Sequence, residues 1–392
     1  MIAGVEIQNF TAFGNLEITL SPRVNVIIGS NGTGKTHILK ALYALTIADQ
    51  PFSDDKHHKN ERETAISKKL LRLFSPEENR IGALWNSASA APARLCLRRG
   101  DDARVAISFG GRSKVARLEK DVDAEGHEAP PVFIPTKEVL SLVRGMRHPE
   151  HDHATVEMIF DDTYLDLAKL LVQPGFEDEA SSLDEDPRLA SVVRELVELV
   201  GGRYRCASDG FFRFEPGTYQ DRANPHWSQS RAAQAYQDST VTRFVPKKKG
   251  QSISSSLTAE GFRKIGVLHR LLCNGSISPG KTGVLLWDEP ETNLNPKLME
   301  KLVQVLLELS RNGQQIILAT HDYVLLKWFD LLMDKGKEDH VRFHSLYRDK
   351  FTSEVKLSSS DDYLEISPNP IDDAFGRLIN QEIENEMGNL GK

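Results

Sequence analysis

Eight consecutive residues, Gly29-Ser30-Asn31-Gly32-Thr33-Gly34-Lys35-Thr36, match G-x-x-x-x-G-K-[ST] at every specified position. Each residue type answers a need of phosphate chemistry. Glycines let a loop wrap so that successive backbone N–H groups point at the β- and γ-phosphates, and a following helix N-terminus adds a favourable field. The lysine ammonium bridges β- and γ-phosphate oxygens, and the Thr36 hydroxyl suits a Mg²⁺ ligand position. A second cluster completes the chemistry. The apolar run Val284-Leu285-Leu286-Trp287 delivers Asp288 and Glu289 side by side, followed by Pro290. Strand alternation would point the two acids different ways. Asp288 is then the acid on the Mg²⁺ side, and Glu289 the base that polarises water for in-line attack on the γ-phosphorus. Beyond the run Gln315–Ala319 comes Thr320-His321-Asp322, and His321 is placed to hydrogen-bond the γ-phosphate or the attacking water.

These groups need a rigid support, and the flanking sequence supplies one. Val24-Asn25-Val26-Ile27-Ile28 is a β-branched run ending in Gly29, the pattern of a buried parallel strand. A helix with Ile38, Leu39, Leu42 and Leu45 on one face follows the loop, and residues 49–63 read as a polar loop. Before Val24, residues around Val5–Phe10 and Leu16–Leu20 form two short strands. From Pro92 the pattern turns antiparallel: Arg94–Arg98, a turn at Gly100-Asp101-Asp102, Val105–Phe109, then Gly110-Gly111. Val132-Phe133-Ile134 starts another strand. From about 137 to 201 the period is helical, with Val192, Val193, Leu196, Val197 and Val200 in one stripe. A hairpin spans 203–215, and the polar stretch 218–250 reads as a loop. After it helices near 259–273, 296–311 and 323–333 alternate with strands near 283–287, 315–319 and 341–347. Such alternation after a P-loop strand predicts an α/β fold, a mostly parallel sheet covered by helices. Added to it are an antiparallel β subdomain and a short helical insert. The expected organisation is an N-terminal lobe at 1–139, a helical insert at 140–202 and a C-terminal lobe at 203–392.

Bulk properties agree with a globular nucleotide-handling protein. The 392 residues are 40% hydrophobic and 27% charged, with net charge −7, which excludes disorder throughout and a coat of positive charge. No stretch approaches the apolar length of a membrane span. Met1–Glu6 lacks the charged and apolar regions of a signal peptide, so a cytoplasmic location is expected. Cys96, Cys206 and Cys273 lie far apart and are expected to be reduced, isolated thiols.

The order of these motifs resembles an ABC-type ATPase head of the SMC/RecF/OLD branch, as distinct from a transporter or an AAA+ motor. The likeness rests on a Walker A motif at 29–36, a signature-like helix start at 257–264 and a Walker B motif at 284–289. An Asn-rich D-loop, Glu291-Thr292-Asn293-Leu294-Asn295-Pro296, and a switch histidine at 321 follow. The opening Ile7-Gln8-Asn9-Phe10-Thr11-Ala12-Phe13 also looks like that branch. Glu260-Gly261-Phe262-Arg263-Lys264, Trp287–Pro296 and Ala319-Thr320-His321-Asp322 are similar to stand-alone ATPases of prokaryotic anti-phage operons, such as the ATPase subunits of PARIS and Septu. The resemblance implies ATP and Mg²⁺ as cofactors and two heads sandwiching two ATP molecules, with the signature residues Thr258, Glu260 and Gly261 acting across the dimer and Asn293 also at the nucleotide. It also implies a homodimer or higher homo-oligomer and a separate effector subunit, a nuclease or toxin. The signature departs from L-S-G-G-Q: Leu257-Thr258-Ala259-Glu260-Gly261 puts Thr258 or, in a shifted register, Ala259 at the serine place. With Ala259 there, a hydroxyl contact is lost and slow hydrolysis is expected. After the 132–134 strand no glutamine stands in the Q-loop position, leaving Lys137 or Glu138.

Other chemistry-bearing residues have plainer readings. His148, His151 and His153 with Asp152 read as a solvated loop, and Asp184-Glu185-Asp186 suits the N-terminus of a helix beginning near Pro187. Ser360-Asp361-Asp362 fits no Toprim pattern. Lys247-Lys248-Lys249, Arg144 and Arg147 could meet nucleic-acid phosphates, although a solvated face is favoured. The helix near 371–387 carries Ile371, Phe375, Leu378, Ile379 and Ile383. Packing on its own head is favoured over docking to an effector. The insert of about 60 residues lacks sustained heptads, so a compact lobe is expected in place of a long coiled coil.

Overall fold

The computed structural model describes residues 1–48, 59–88, 90–100, 102–121, 130–147, 153–175, 187–207, 209–223, 240–248 and 251–389. Its centre is a six-stranded sheet in the order β15-β14-β3-β13-β12-β7. The strands are β3 (Val24–Gly29), β7 (Val132–Ile134), β12 (Leu285–Asp288), β13 (Ile316–Ala319), β14 (Val341–Arg348) and β15 (Val355–Ser360). All neighbours are parallel except the edge strand β15, which pairs antiparallel with β14. A second sheet, wholly antiparallel, runs β2-β1-β4-β5-β6: β1 (Gly4–Phe10), β2 (Phe13–Thr19), β4 (Ala93–Arg99), β5 (Asp102–Phe109) and β6 (Arg117–Asp121). The α/β class, the parallel sheet and the antiparallel subdomain are therefore as expected.

Strand alternation separates two hydrophobic cores. Val24, Val26 and Ile28 of β3 face one core, and Ile27 faces the other. Leu285 and Trp287 against Leu286, and Ile316 and Leu318 against Ile317 and Ala319, divide the same way. The first core holds the helices α5 (Asp162–Leu171), α6 (Pro187–Val200), α7 (Glu260–Cys273), α8 (Pro296–Arg311) and α9 (Tyr323–Leu332). The second holds α1 (Lys35–Ala48) and the antiparallel sheet. Caught between two sheets, α1 buries Ala41, Tyr43, Ala44 and Ala48 as well as the predicted Ile38, Leu39, Leu42 and Leu45. The single-face pattern underestimated it because alanines count little toward periodicity. Fully burying one such leucine stabilises by about 1.5–3 kcal/mol.

Three expectations change. Residues 59–63 belong to a helix, α2 (Lys59–Phe74), so the loop reading of 49–63 fails there; 49–58 lie outside the described residues. Its polar start hid the apolar positions Ile66, Leu70 and Leu73 that pack it. The 218–250 loop is partly sheet: β9 (Phe212–Ala223) pairs antiparallel with β10 (Thr240–Pro246), Tyr219 opposite Phe244, and also with β8 (Gly202–Cys206) and β11 (Ile253–Ser254). Polar residues on this ribbon masked its alternation. The C-terminal helix α10 (Pro370–Asn389) packs on the head only at its start. Ile371 is buried and Phe375 stacks on Tyr323 at 4.2 Å, whereas Leu378, Ile379 and Ile383 are exposed. Among the described residues no helix is long and apolar enough to cross a membrane.

Among the described residues, the helical segment after β7 comprises α3 (Val143–Arg147), α4 (His153–Ile159), α5 and α6, with 137–142 non-helical. It is tied to the phosphate-loop side by charge. Lys40 of α1 bonds Asp161 at 2.7 Å, Lys69 of α2 bonds Asp162 at 2.8 Å, and the Tyr43 hydroxyl donates to Asp166 at 3.0 Å. His148, His151, Asp152, Asp184–Asp186 and Lys249 fall outside the described residues, and so do the side chains of Arg147 and His153. Arg144 lies over the Phe211 ring at 3.8 Å, and Lys247 and Lys248 are exposed at the end of β10. Asp361 pairs with His340 at 3.2 Å, and Asp362 caps a short turn through Leu364 N–H. Cys96 and Cys273 are buried and Cys206 is half-buried, all as free thiols.

Two buried histidines set an acid limit. Burial is the main cause that holds His269 and His344 near pKa 3, below the ordinary 6.5. The folded state resists a proton that the unfolded chain accepts. Their stabilisation is therefore present above pH 6.5 and lost as pH falls towards 3, by up to about 1.4 kcal/mol per unit for each. Melting temperature measured between pH 7 and 4 should fall more steeply for the wild type than for His344→Gln.

Candidate active site

The parallel strands end together, and each end contributes a group. β3 leaves Gly29 and the loop enters α1 at Lys35; Ser30, Asn31 and Gly32 are exposed, and Thr33 turns inward to donate to Ser30 O at 2.8 Å. Arg348, the last residue of β14, donates to Gly32 O at 2.9 Å. Lys35 is 7% exposed, donates to Gly29 O at 2.8 Å and lies 3.9 Å from the Glu289 carboxylate. From the antiparallel sheet, Phe13 fills the space beside Gly34: a Cβ on Gly34 would lie 2.5 Å from the ring.

Asp288, the last residue of β12, is 4% exposed. Its carboxylate accepts from the Thr36 hydroxyl at 3.0 Å and from the Thr136 hydroxyl at 2.8 Å. Thr136 was absent from the sequence-derived set, which named its neighbours Lys137 and Glu138. Lys137 is exposed, and Glu138 is buried in an ion pair with Arg263 of α7 at 2.9 Å. The hydroxyl two residues past β7 is the group that reaches Asp288. Thr36 and Asp288 offer hard oxygen donors, a set that fits Mg²⁺.

Glu289 is separated from Asp288 by more than strand alternation. β12 ends at Asp288, and Glu289 adopts φ +50°, a left-handed conformation rare for non-glycine residues. Its N–H donates to Ala319 O at 2.9 Å, which aligns it with the end of β13. Its carboxylate is bonded to Nδ1 of the exposed His321. Glu291, 5% exposed, accepts from the Thr320 hydroxyl at 2.6 Å. Burial raises the pKa of both Glu289 and Glu291, and the nearness of the two acids pushes Glu291 further up. Ligand atoms of Glu289, Glu291 and His321 lie within 4.8 Å of one another. Positive charge beside them comes from Lys35 and from Lys264, whose Nζ donates to Glu289 O at 2.7 Å.

Two family models match this chain: one described as AAA ATPase domain over residues 1–124, the other as AAA domain, putative AbiEii toxin, Type IV TA system over residues 161–327. The chain is 29% identical over 146 residues to the DNA replication and repair protein RecF of Listeria monocytogenes, covering 37% of this chain and 34% of that protein. It is 26% identical over 144 residues to RecF of Bacillus subtilis, at 37% and 34% coverage. The chain is thus similar to ATPase domains in both halves and to RecF proteins. It spans about a third of the length of the curated relatives it matches. Among solved structures, the SMC head bound to the C-winged helix domain of ScpA shares 15% identity at TM-score 0.49, covering 92% of this chain and 97% of that one. The SMC head domain from Thermotoga maritima shares 13% at TM-score 0.45, with 92% and 98% coverage.

The segment that reads as signature-like lies at the start of α7. Ala259 is the residue that caps the helix, and it makes no side-chain capping bond. The Thr258 hydroxyl is turned inward, bonded to the Tyr204 hydroxyl at 2.7 Å and to Ser255 O at 2.7 Å. Glu260 opens the helix, and Gly261 packs so tightly on the D-loop that a Cβ would lie 2.6 Å from Asn293 O. Asn293 itself is exposed with φ +62°.

Gly34 combines φ +93° with the Phe13 ring, so both backbone strain and overlap oppose a side chain there. Gly34→Ala should lose about 2–3 kcal/mol of stability, read as a lower denaturant midpoint. Ser30→Ala, at an exposed loop position, should leave the midpoint unchanged.

Proposed function

We propose that this chain binds and hydrolyses Mg-ATP, dimerises around the nucleotide and controls a separate effector, in anti-phage defence. The observation that carries the reading is the convergence of Lys35, Thr36–Asp288–Thr136 and Glu289–His321 at the ends of β3, β12 and β13. Gly29, Ser30, Asn31, Gly32, Thr33 and Gly34 wrap the phosphates with backbone N–H groups, while Lys35 leaves Gly29 O for β- and γ-phosphate oxygens. Thr36 and Asp288 would hold Mg²⁺, which when bound neutralises charge on those oxygens. Glu289 accepts a proton from water as its oxygen attacks the γ-phosphorus; the bond to the β–γ bridging oxygen breaks, and ADP leaves with that electron pair. Burial makes Glu289 a stronger base than a solvated carboxylate. His321 orients that carboxylate and the γ-phosphate. In this reading 1–139 and 203–392 form the two lobes of one head, 140–202 is its insert, and the protein acts in the cytoplasm.

Thr258, Glu260 and Gly261 act across the dimer, on the partner head's nucleotide, and Asn293 also acts at the nucleotide. Effector control in defence draws support from the family model whose description includes a putative AbiEii toxin. Two further readings have their own observations. Likeness to RecF favours a DNA-repair ATPase, which salt-sensitive DNA binding would reveal. Ala259 at the helix cap favours a slowly hydrolysing scaffold that cages a toxin.

Mass in solution tests the proposal. With Mg-ATP, Glu289→Gln should form a stable dimer or larger assembly, Lys35→Ala should not, and the wild type should assemble transiently. One mass for all three, with or without nucleotide, would overturn nucleotide-controlled assembly.

A further inference from the structure

Lys264 lies in the middle of α7 and is 1% exposed, an expensive place for an ammonium group. Burial lowers its pKa to about 8 although Glu291, Glu260, Glu289 and Asp288 all act to raise it. Neither acid beside Glu289 depends on Lys264 for its hydrogen bonds. Asp288 is held by Thr36 and Thr136, and Glu291 by Thr320. The ammonium instead donates to the main-chain carbonyl of Glu289 at 2.7 Å.

That carbonyl belongs to a non-glycine residue in the left-handed region, at φ +50°. A non-glycine residue held there is strained and persists only where its surroundings over-determine it. On one side the Glu289 N–H is fixed by Ala319 O at 2.9 Å. On the other, the carbonyl receives Lys264 and the Thr292 N–H at 3.2 Å. The sheet thus fixes one peptide of the turn, and α7 fixes the next. The same helix grips the D-loop, where Gly261 meets Asn293 O one helical turn before Lys264.

We propose that Lys264 is a positioning residue: it holds the left-handed turn at Glu289 and ties the direction of the Glu289 carboxylate to the seating of α7. The inference rests on the reading of Glu289 as the base for ATP hydrolysis. Because Gly261 and Lys264 share one rigid helix, a shift at the signature turn reaches Glu289 without passing through the phosphate loop. Nucleotide binding and catalysis are then separable, since Lys264 bonds the Glu289 main-chain carbonyl whereas Lys35 faces its carboxylate.

Steady-state ATP hydrolysis by Lys264→Met, Lys264→Arg and Glu289→Gln, with binding of a non-hydrolysable ATP analogue, tests this. Lys264→Met should lower kcat by about tenfold to a hundredfold with KM and analogue affinity near wild type, and Lys264→Arg should recover part of the loss. Wild-type kcat in Lys264→Met, while Glu289→Gln is inactive, overturns the role of Lys264 alone. Full turnover in Glu289→Gln removes the base reading and this inference with it. A parallel loss of kcat, analogue affinity and melting temperature in Lys264→Met, without recovery by arginine, reduces Lys264 to a packing residue. Should the methionine variant fail to fold, Lys264→Gln, too short to span to Glu289, is compared on the same terms.

Discussion

A carboxylate buried at the end of a parallel strand is unstable unless something answers it, and around Asp288 the answer is two hydroxyls from two other parts of the chain. Thr36 comes from the first turn of α1 and Thr136 from just beyond β7. Their bonds require β3, β12 and β7 to end at one level, with β13 between β3 and β12 to close the sheet. The phosphate loop, the acids and the histidine are near one another because these strands are in register. A slip of one residue in β12 would turn Trp287, not Asp288, towards Thr36, and would exchange the sides on which Leu285 and Leu286 are buried. Core alternation and site geometry thus impose the same register.

The second constraint is charge. Asp288, Glu289 and Glu291 crowd into a few residues, facing Lys35, Lys264 and His321. Burial keeps the pKa of Glu289 and Glu291 raised even with the lysines beside them. An anionic substrate is a poor match for acids and a good match for Lys35, so the loop must hold its lysine in reserve. Gly29 O does this: a neutral acceptor keeps the ammonium in place at small cost to release. A carboxylate at that hydrogen-bond distance would compete with phosphate more strongly than Glu289 does at 3.9 Å.

What was legible in the sequence follows from how local each signal is. The phosphate loop, the Asp288-Glu289 pair and His321 are contiguous motifs at strand ends, and the structure brings them together. Helix 296–311 was readable to the residue because Asn295 caps it, Pro296 opens it and its apolar period is unbroken. Thr136 and Lys264 were not readable as partners of the acids. Each acts through one contact, 152 and 25 residues away in sequence, with no spacing that marks it. The β9–β10 ribbon was missed for a different reason: among its described residues only the start, at Phe212 and Phe214, is buried in the core, and the rest need not alternate cleanly.

The direction of Glu289 shows where a sequence rule gave a correct separation for the wrong reason. Alternation along β12 was expected to turn Glu289 away from Asp288, yet the strand stops at Asp288 and the pleat does not extend to Glu289. A left-handed turn does the separating, and such a turn has to be held from both sides. β13 supplies one side through Ala319, and α7 supplies the other. A pleat would have been fixed by the sheet alone and would have left α7 free to move independently of Glu289. The turn makes the helix part of the geometry at Glu289, which is a physical reason for the start of α7, the 291–296 loop and Glu289 to behave as one body.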